Sequence, residues 1–240
     1  MTRQYLIIFS WVSFFQLPGF SQSIPADTVF LAQATQNEIA LYSKAMVAQS
    51  HLYNGTEYGE YRPLKEENPF FLNMSDWTDG SIYYDGWLYQ NTPLLYDIST
   101  DKVITEHYSS RKKIQLIDNK IEWFALQTHR FVHLQDERLP KGFYELLYDG
   151  ITKVYAKRLK SFQQEISGLE IIRTFDEKSF FYIFKQNDFY LVKNKKTVMA
   201  VFRDRKSELN QFISKNHIRF KSNREKSISM LAEFYDSLDK

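Results

Sequence analysis

The sequence predicts an α+β fold in which a predominantly antiparallel, curved sheet of about eight to ten short strands is flanked by helices. Two-residue turn signals recur between aromatic and β-branched runs, a pattern typical of β-hairpins. All 8 glycines and all 6 prolines lie at or before Gly168, so residues 169–240 contain neither. Several strand-like runs are apolar at consecutive positions, which favours a sheet covered on both faces. A meander, a sandwich-like sheet and a partial barrel all fit these patterns.

Four turn signals place the strands between about residues 70 and 200. The signals are Asp85-Gly86, Asp118-Asn119, Asp149-Gly150 and Asn187-Asp188. Asp, Asn and Gly tolerate the positive φ that tight hairpin turns require. We therefore expect each pair to join two neighbouring antiparallel strands.

Helices are expected on both sides of the sheet. A segment over about residues 33–50, rich in Ala, Gln and Glu, predicts an N-terminal helix. Toward the C-terminus, Asp204 is the expected cap of a helix that ends near Lys215. Ser222-Asn223-Arg224-Glu225 matches a capping box and precedes apolar residues spaced by three and four. Residues 203–238 are therefore predicted to form a helical hairpin.

Residues 1–21 have the features of a secretory signal peptide. Arg3 precedes an apolar run over residues 5–15, and Pro18 and small residues follow. The run is shorter than the roughly 20 residues that a bilayer span needs. We expect cleavage after residue 21, which leaves residues 22–240 as a single domain without a transmembrane segment. No cysteine follows the cut for lipid attachment, so the prediction is a secreted, periplasmic or cell-surface protein and not a lipoprotein.

Composition excludes several classes of function. The 240 residues include 31 basic and 29 acidic side chains, a formal charge of +2, which lacks the strong basic excess of nucleic-acid-binding proteins. The absence of cysteine excludes disulfides, thiolate nucleophiles and cysteine-based metal sites. The sequence also contains no phosphate-binding loop or dinucleotide fingerprint, so no cofactor is predicted.

Three motifs give the chain a family resemblance. They are Leu-Tyr-Asn-Gly-Thr-Glu-Tyr at residues 52–58, Tyr-Asp-Gly followed by Pro-Leu-Leu-Tyr-Asp within residues 84–97, and Gly-Phe-Tyr-Glu-Leu-Leu-Tyr-Asp-Gly at residues 142–150. With the closing segment 206–235, the sequence resembles a group of exported, functionally uncharacterised proteins of Bacteroidetes. The resemblance implies an envelope location and one compact unit. It implies no activity and no catalytic residue.

Aromatic residues are the first candidates for a binding site. Aromatic side chains make up 17% of the sequence, and exposed rings on a rigid sheet give contact area to a protein or glycan at low entropy cost. Rings are also strand formers and core fillers, which is the alternative interpretation. The candidates are Trp77, Tyr83, Trp87, Tyr89 and Tyr96.

His129 and His133 are a weak candidate pair of metal ligands. On a strand both side chains share a face and flank Phe131. A zinc site needs a third and usually a fourth ligand, and only Asp136 and Glu137 follow nearby. Two solvated imidazoles on an exposed strand are the alternative, so no metal is predicted.

Carboxylates at turns suggest an alternative function, a cell-envelope hydrolase. Asp85, Asp97, Asp101 and Asp149 could supply the paired carboxylates of glycoside hydrolysis. Aspartate at a turn also stabilises the backbone by its own hydrogen bonds, which accounts for each position. The main prediction is therefore a non-catalytic exported protein that binds an envelope protein or glycan through an aromatic-rich sheet surface.

The segment over residues 203–226 carries a local basic excess. It holds eight Lys or Arg residues against three acidic ones. Such a bias is typical of the solvated face of amphipathic helices. Contact with acidic partners or anionic lipid is the alternative.

Overall fold

The computed structural model describes residues 51–59, 68–167 and 170–238, together with Thr35 and Glu38. The chain divides into two compact units, residues 1–49 and 50–240, and the description below concerns the second. The expected signal peptide lies outside the described residues. So does the helix expected over residues 33–50, apart from those two positions.

Strands in the described part of the chain form one open sheet in which all neighbours are antiparallel. In chain order, β1 to β11 are Thr56–Glu57, Thr78–Tyr84, Trp87–Asp97, Lys102–Glu106, Lys113–Gln115, Ile121–Leu126, His129–Leu134, Gly142–Asp149, Lys153–Ser167, Glu170–Lys185 and Asp188–Val192. The spatial order is β1-β5-β4-β3-β2-β6-β7-β8-β9-β10-β11. The sheet thus consists of a first meander, β2 to β5, and a second meander, β6 to β11, which are joined by the β2–β6 pair. The predicted antiparallel sheet is confirmed, and it is open.

Two of the four predicted turns join neighbouring strands by two residues. Asp85 and Gly86 adopt φ values of 53° and 82° between β2 and β3, as expected. The β10–β11 turn consists of Gln186 and Asn187, with φ of 52° and 62°, because Lys185 pairs with Asp188. That turn therefore lies one residue earlier than predicted.

The other two turn signals need correction. Asp118-Asn119 is not a hairpin turn: residues Asp118–Lys120 form a 3-10 helix, and β5 and β6 are not neighbours. The connection carries the chain from the β4–β5 side of the sheet to the far side of β2. Asp149-Gly150 does lie at the β8–β9 hairpin, but Asp149 pairs with Lys153, so three residues form the loop.

Aromatic side chains fill the inside of the curved sheet. Tyr96 on β3 lies edge-on to Phe124, Phe131 and Phe143, with ring centroids 5.1, 4.9 and 6.0 Å away. These partners come from β6, β7 and β8, so the sheet curls until β3 faces three strands of the second meander. Offset and edge-on ring pairs are the favourable aromatic arrangements, and they fill this core.

The β3–β4 turn fills a gap where β8 and β9 separate. Pairing between β8 and β9 begins only at Glu145. Phe143 precedes this point in β8, and its backbone is bonded by side chains. Asp101 accepts a hydrogen bond from the Phe143 N–H at 3.3 Å, and the Lys157 ammonium donates to the Phe143 carbonyl at 3.1 Å. Lys157 and Asp101 form an ion pair of 2.6 Å. The curl is held by side chains that satisfy backbone groups the ladder leaves unpaired.

Helices cover one face of the second meander. They are α1 Lys195–Val201, α2 Lys206–Lys215 and α3 Arg224–Ser237, and short 3-10 segments lie at His51–Tyr53, Phe71–Asn73 and Arg203–Arg205. Phe202, Leu209 and Leu231 pack against Val154 and Ile183 of the sheet. Helix α1 lies inside the region predicted to be strand, so the β region ends earlier than expected. None of the described helices combines the length and apolar character needed to cross a bilayer.

Both helix caps differ from the predicted ones. Asp204 lies in a 3-10 segment and does not cap α2, whose N-cap is Arg205. The Asp204 carboxylate instead accepts from the Lys185 ammonium at 2.8 Å and from the Tyr235 hydroxyl at 2.6 Å. Helix α3 is capped by Asn223, one residue after the predicted Ser222, through a hydrogen bond from the Lys226 N–H.

The opposite face of the sheet carries two further apolar clusters. One contains Tyr144, Tyr155 and Tyr182, and the other contains Tyr58 and Leu95. Both faces of the sheet are therefore partly covered. This explains the strand runs that are apolar at consecutive positions.

Candidate functional site

The five aromatic candidates occupy different environments. Tyr96 is 1% exposed and lies in the core described above. Trp77 and Tyr89 are half-buried and pack against separate apolar clusters. Tyr83 is half-buried, and Trp87 is 65% exposed. The structure does not bring these five rings into one surface.

Strand register places Tyr83 and Trp87 on opposite faces of the sheet. Tyr83 pairs with Leu88, whereas Trp87 pairs with the buried Tyr84. Side chains of directly paired residues lie on the same face of a sheet, and successive residues alternate between faces. Trp87 therefore belongs to the core side at the strand end, and Tyr83 and Leu88 belong to the other side.

A new surface forms around Tyr83, and we name it the aromatic face. Its four residues are Tyr83, Leu88, Trp123 and Arg130. Tyr83 pairs with Trp123 across β2 and β6, and their rings stack 6.4 Å apart at an angle of 16°. The Arg130 guanidinium lies 4.5 Å from the Trp123 ring centroid, and Leu88 is 50% exposed. This arrangement offers a flat, partly apolar surface with one cation at its margin.

Sequence reasoning missed three residues of the aromatic face. Trp123 and Arg130 belong to strands that were predicted, but Tyr83 and Trp123 become neighbours only because β6 pairs with β2. These strands are separated along the chain by β3, β4 and β5. Alternation within β2 and β6 could have indicated the outward positions, but not which outward positions meet.

The two histidines share a face, as predicted, but have different partners. The Nδ1 atom of His129 lies 2.5 Å from Oε1 of Glu145. His133 packs on the Phe143 ring at 4.8 Å and lies 3.3 Å from the Gln135 amide. Within the residues that the structure describes, no three His, Cys, Asp or Glu side chains come together in a possible metal site.

His129 belongs to a partly buried ionic cluster. Glu145 also accepts from Nε of Arg158 at 2.7 Å, and Arg158 donates to Glu225 of α3 at 2.7 Å and to the Ser179 hydroxyl at 3.0 Å. Burial acts against the charge of Arg158, but the two carboxylates outweigh it and raise the pKa of the guanidinium. The cluster joins β7, β8 and β9 to the first turn of α3. Its geometry is that of a structural ion-pair network.

The four turn carboxylates all have hydrogen-bond or ion-pair partners. Asp97 is fully buried and accepts hydrogen bonds from the Tyr58 hydroxyl and from the backbone and side chains of residues 99 and 100. Asp85 pairs with Lys120, and Asp149 pairs with Lys153. The Asp97 contacts are those of a turn-stabilising aspartate, whereas Asp85 and Asp149 form side-chain ion pairs.

Asp101 is the turn carboxylate that reaches a cavity. The cavity measures about 630 Å³ and is also lined by Asp118, His133 and Glu137. However, Asp101 faces Lys157 and Asp118 faces Lys102. The contacts that the structure shows for these two carboxylates are therefore ion pairs within the described chain.

Comparisons with known proteins identify no relative: no protein-family model, curated protein or solved structure matches this chain. The fold and the contacts define an open antiparallel-sheet protein with a helical cover and an aromatic face whose two rings are half-buried. The choice of site depends on the geometry of its residues.

Proposed function

We propose that this chain is an exported, non-catalytic protein of the cell envelope that binds a protein or glycan partner through the aromatic face. The observation that carries the proposal is the stacked Tyr83–Trp123 pair with Arg130 over the Trp123 ring. Trp, Tyr and Arg are the residues most enriched at the energetic centres of protein interfaces. A protein partner is therefore favoured over a glycan.

The rigidity of the surface supports this use. Tyr83 and Trp123 project from paired strands in the middle of the sheet that the described residues form. A ring held by a strand and by a stacked neighbour loses little further freedom when a partner binds. Arg130 adds a cation that can orient an acidic or hydrogen-bonding group of the partner.

Partner capture tests the aromatic face. The immobilised chain is incubated with envelope extract from its own cells, either untreated, digested with protease or oxidised with periodate. We expect a bound species that protease removes and that is lost from the Trp123→Ala and Arg130→Ala variants. The control is Trp87→Ala, which removes a more exposed ring on the other side of the sheet. Equal capture by the Trp123→Ala and Trp87→Ala variants would contradict the proposal.

Export is a separate part of the proposal. The Arg3-led apolar segment supports it, and so does the resemblance to exported Bacteroidetes proteins. Fractionation of the producing cells should place the chain outside the cytoplasm, with Gln22 as the first residue by mass spectrometry. A cytoplasmic chain that retains residues 1–21 would overturn this part alone.

A further inference from the structure

We propose that the outer edge of β11 is a docking site for an extended acidic segment of a partner protein, which binds as an additional strand beside α1. Strand β11 is the last strand of the sheet and, within the described residues, pairs with β10 alone. An edge strand presents a row of backbone donors and acceptors that another chain can pair with. Strand addition to such an edge is a common mode of peptide recognition.

A groove runs along this edge. It has a volume of about 800 Å³ and is lined on the sheet side by Phe189, Tyr190 and Leu191. Because Tyr190 lies between the other two along the strand, residues of both faces reach the groove, as expected at a strand edge. Tyr190 is 37% and Leu191 is 44% exposed. The edge thus combines partly exposed apolar side chains with outward backbone groups, of which the Phe189 N–H already donates to the Asp188 carboxylate at 2.8 Å.

Helix α1 forms the other wall of the groove. Thr197, Ala200 and Val201 line it, at the spacing of three and four that places side chains on one helix face. Ala200 is exposed and small, so the wall leaves room for a side chain of an added strand. A strand edge beside a helix can hold both the backbone and alternate side chains of an extended peptide.

Charge determines the class of peptide. Between Lys193 and Lys206 the chain has six basic residues and one acidic residue. The acidic one, Asp204, lines the groove but is bonded to Lys185 and Tyr235. Arg203 also lines the groove and is exposed. Of the six basic residues Arg203 lines the groove, so this cation and the basic segment around it favour an acidic peptide over a basic one.

Peptide binding to the full chain tests the site. The probes are two short fluorescent peptides, one of alternating Val and Glu and one of alternating Val and Lys, and anisotropy is the readout. We expect saturable binding of the Val-Glu peptide only. Ala200→Trp, which fills the groove, and Arg203→Glu should each weaken it by roughly tenfold or more. The matched controls Gln211→Trp and Lys215→Glu on α2 should leave it unchanged.

Backbone pairing is tested by N-methylation of the Val-Glu peptide. Two methylated peptides are compared, one N-methylated at the odd positions and one at the even positions. Only one of them should lose binding, because only every second N–H of an added strand faces β11. Equal binding of both methylated peptides, equal binding by Ala200→Trp, or no binding of the parent peptide would each overturn the proposal. So would a dimer of the full chain in sedimentation that Ala200→Trp abolishes, since the occupant would then be a second copy.

Discussion

At the scale of single residues, Glu145 and Lys157 are two buried charged groups whose partners replace water. Glu145 is 3% exposed and bonds to Arg158 and His129. Lys157 is equally buried at 3% and bonds to Asp101 and to the Phe143 carbonyl. A charge removed from water is tolerated when such contacts replace its hydration. These residues fix positions where strands meet helices or turns.

The Glu145→Gln substitution tests the ionic cluster. It keeps the shape of the side chain but removes the negative charge that faces Arg158, and breaking a buried pair of this kind costs about 3–5 kcal/mol. We expect a loss of that size in the free energy of unfolding, measured by urea denaturation. The control is Asp149→Asn, whose ion pair with Lys153 is exposed and should contribute at most about 1 kcal/mol. Similar losses for both variants would show that Glu225 alone satisfies Arg158.

Gly142 is a residue whose type is required both by its backbone conformation and by a tertiary contact. Its φ is +124°, and an added Cβ would lie 1.7 Å from the Asp101 carboxylate and 2.6 Å from the Lys157 ammonium. The close approach of the β3–β4 turn to β8 therefore depends on the absence of a side chain at this position.

At the scale of elements, α1 is a short helix whose first turn is organised by side chains. Asn194 accepts from the Thr197 N–H at 3.1 Å, and the Thr197 hydroxyl accepts from the Asn194 N–H at 3.1 Å. This reciprocal arrangement satisfies donors that a helix start leaves unpaired. It matters for the docking proposal because α1 forms one wall of the groove.

The Asn194→Ala substitution should destabilise the protein by about 1 kcal/mol, the usual contribution of an N-cap side chain. Thermal denaturation followed by circular dichroism measures the effect. Lys196→Ala, at an exposed position of the same helix, is the control and should change stability by no more than about 0.5 kcal/mol. If the two variants are equally stable, the cap does not contribute to the fold.

At the scale of the whole molecule, two apolar clusters lie at different places on one continuous sheet. Ile82 belongs to the cluster inside the curl, and Ile228 belongs to the cluster under the helices. Both side chains are fully buried. The clusters contain different residues, and the ionic cluster around Glu145 connects strands of the curl to α3.

Paired core substitutions test whether the two clusters are energetically independent. Ile82→Val and Ile228→Val should each cost about 0.5–1.5 kcal/mol. The double variant should lose the sum of the two to within about 0.5 kcal/mol, because the sites share no packing partner. Urea denaturation of the four proteins gives the comparison. A coupling well above that margin would show that strain passes from one cluster to the other.

Local sequence predicted which helices and strands form better than it predicted which strands pair. The β2–β3 turn at Asp85-Gly86 follows from two residues that tolerate positive φ. Asp118-Asn119 has similar chemistry but connects strands that do not pair, because pairing depends on the whole sheet. Asp204 is a good cap by residue type, yet its carboxylate is taken by Lys185 and Tyr235. Of the four residues of the aromatic face, the sequence predicted Tyr83 alone, and its partner Trp123 was not predicted.

The amino-acid sequence by itself determined the antiparallel class of the sheet, the two longest C-terminal helices and the absence of cysteine chemistry, because hairpin turns, apolar periodicity and residue type are local properties. The tertiary structure alone decided that β6 pairs with β2, that the curl buries Tyr96, and that Tyr83 meets Trp123. These outcomes depend on contacts between residues far apart in the chain, whose energies come from packing and burial. No single segment contains that information.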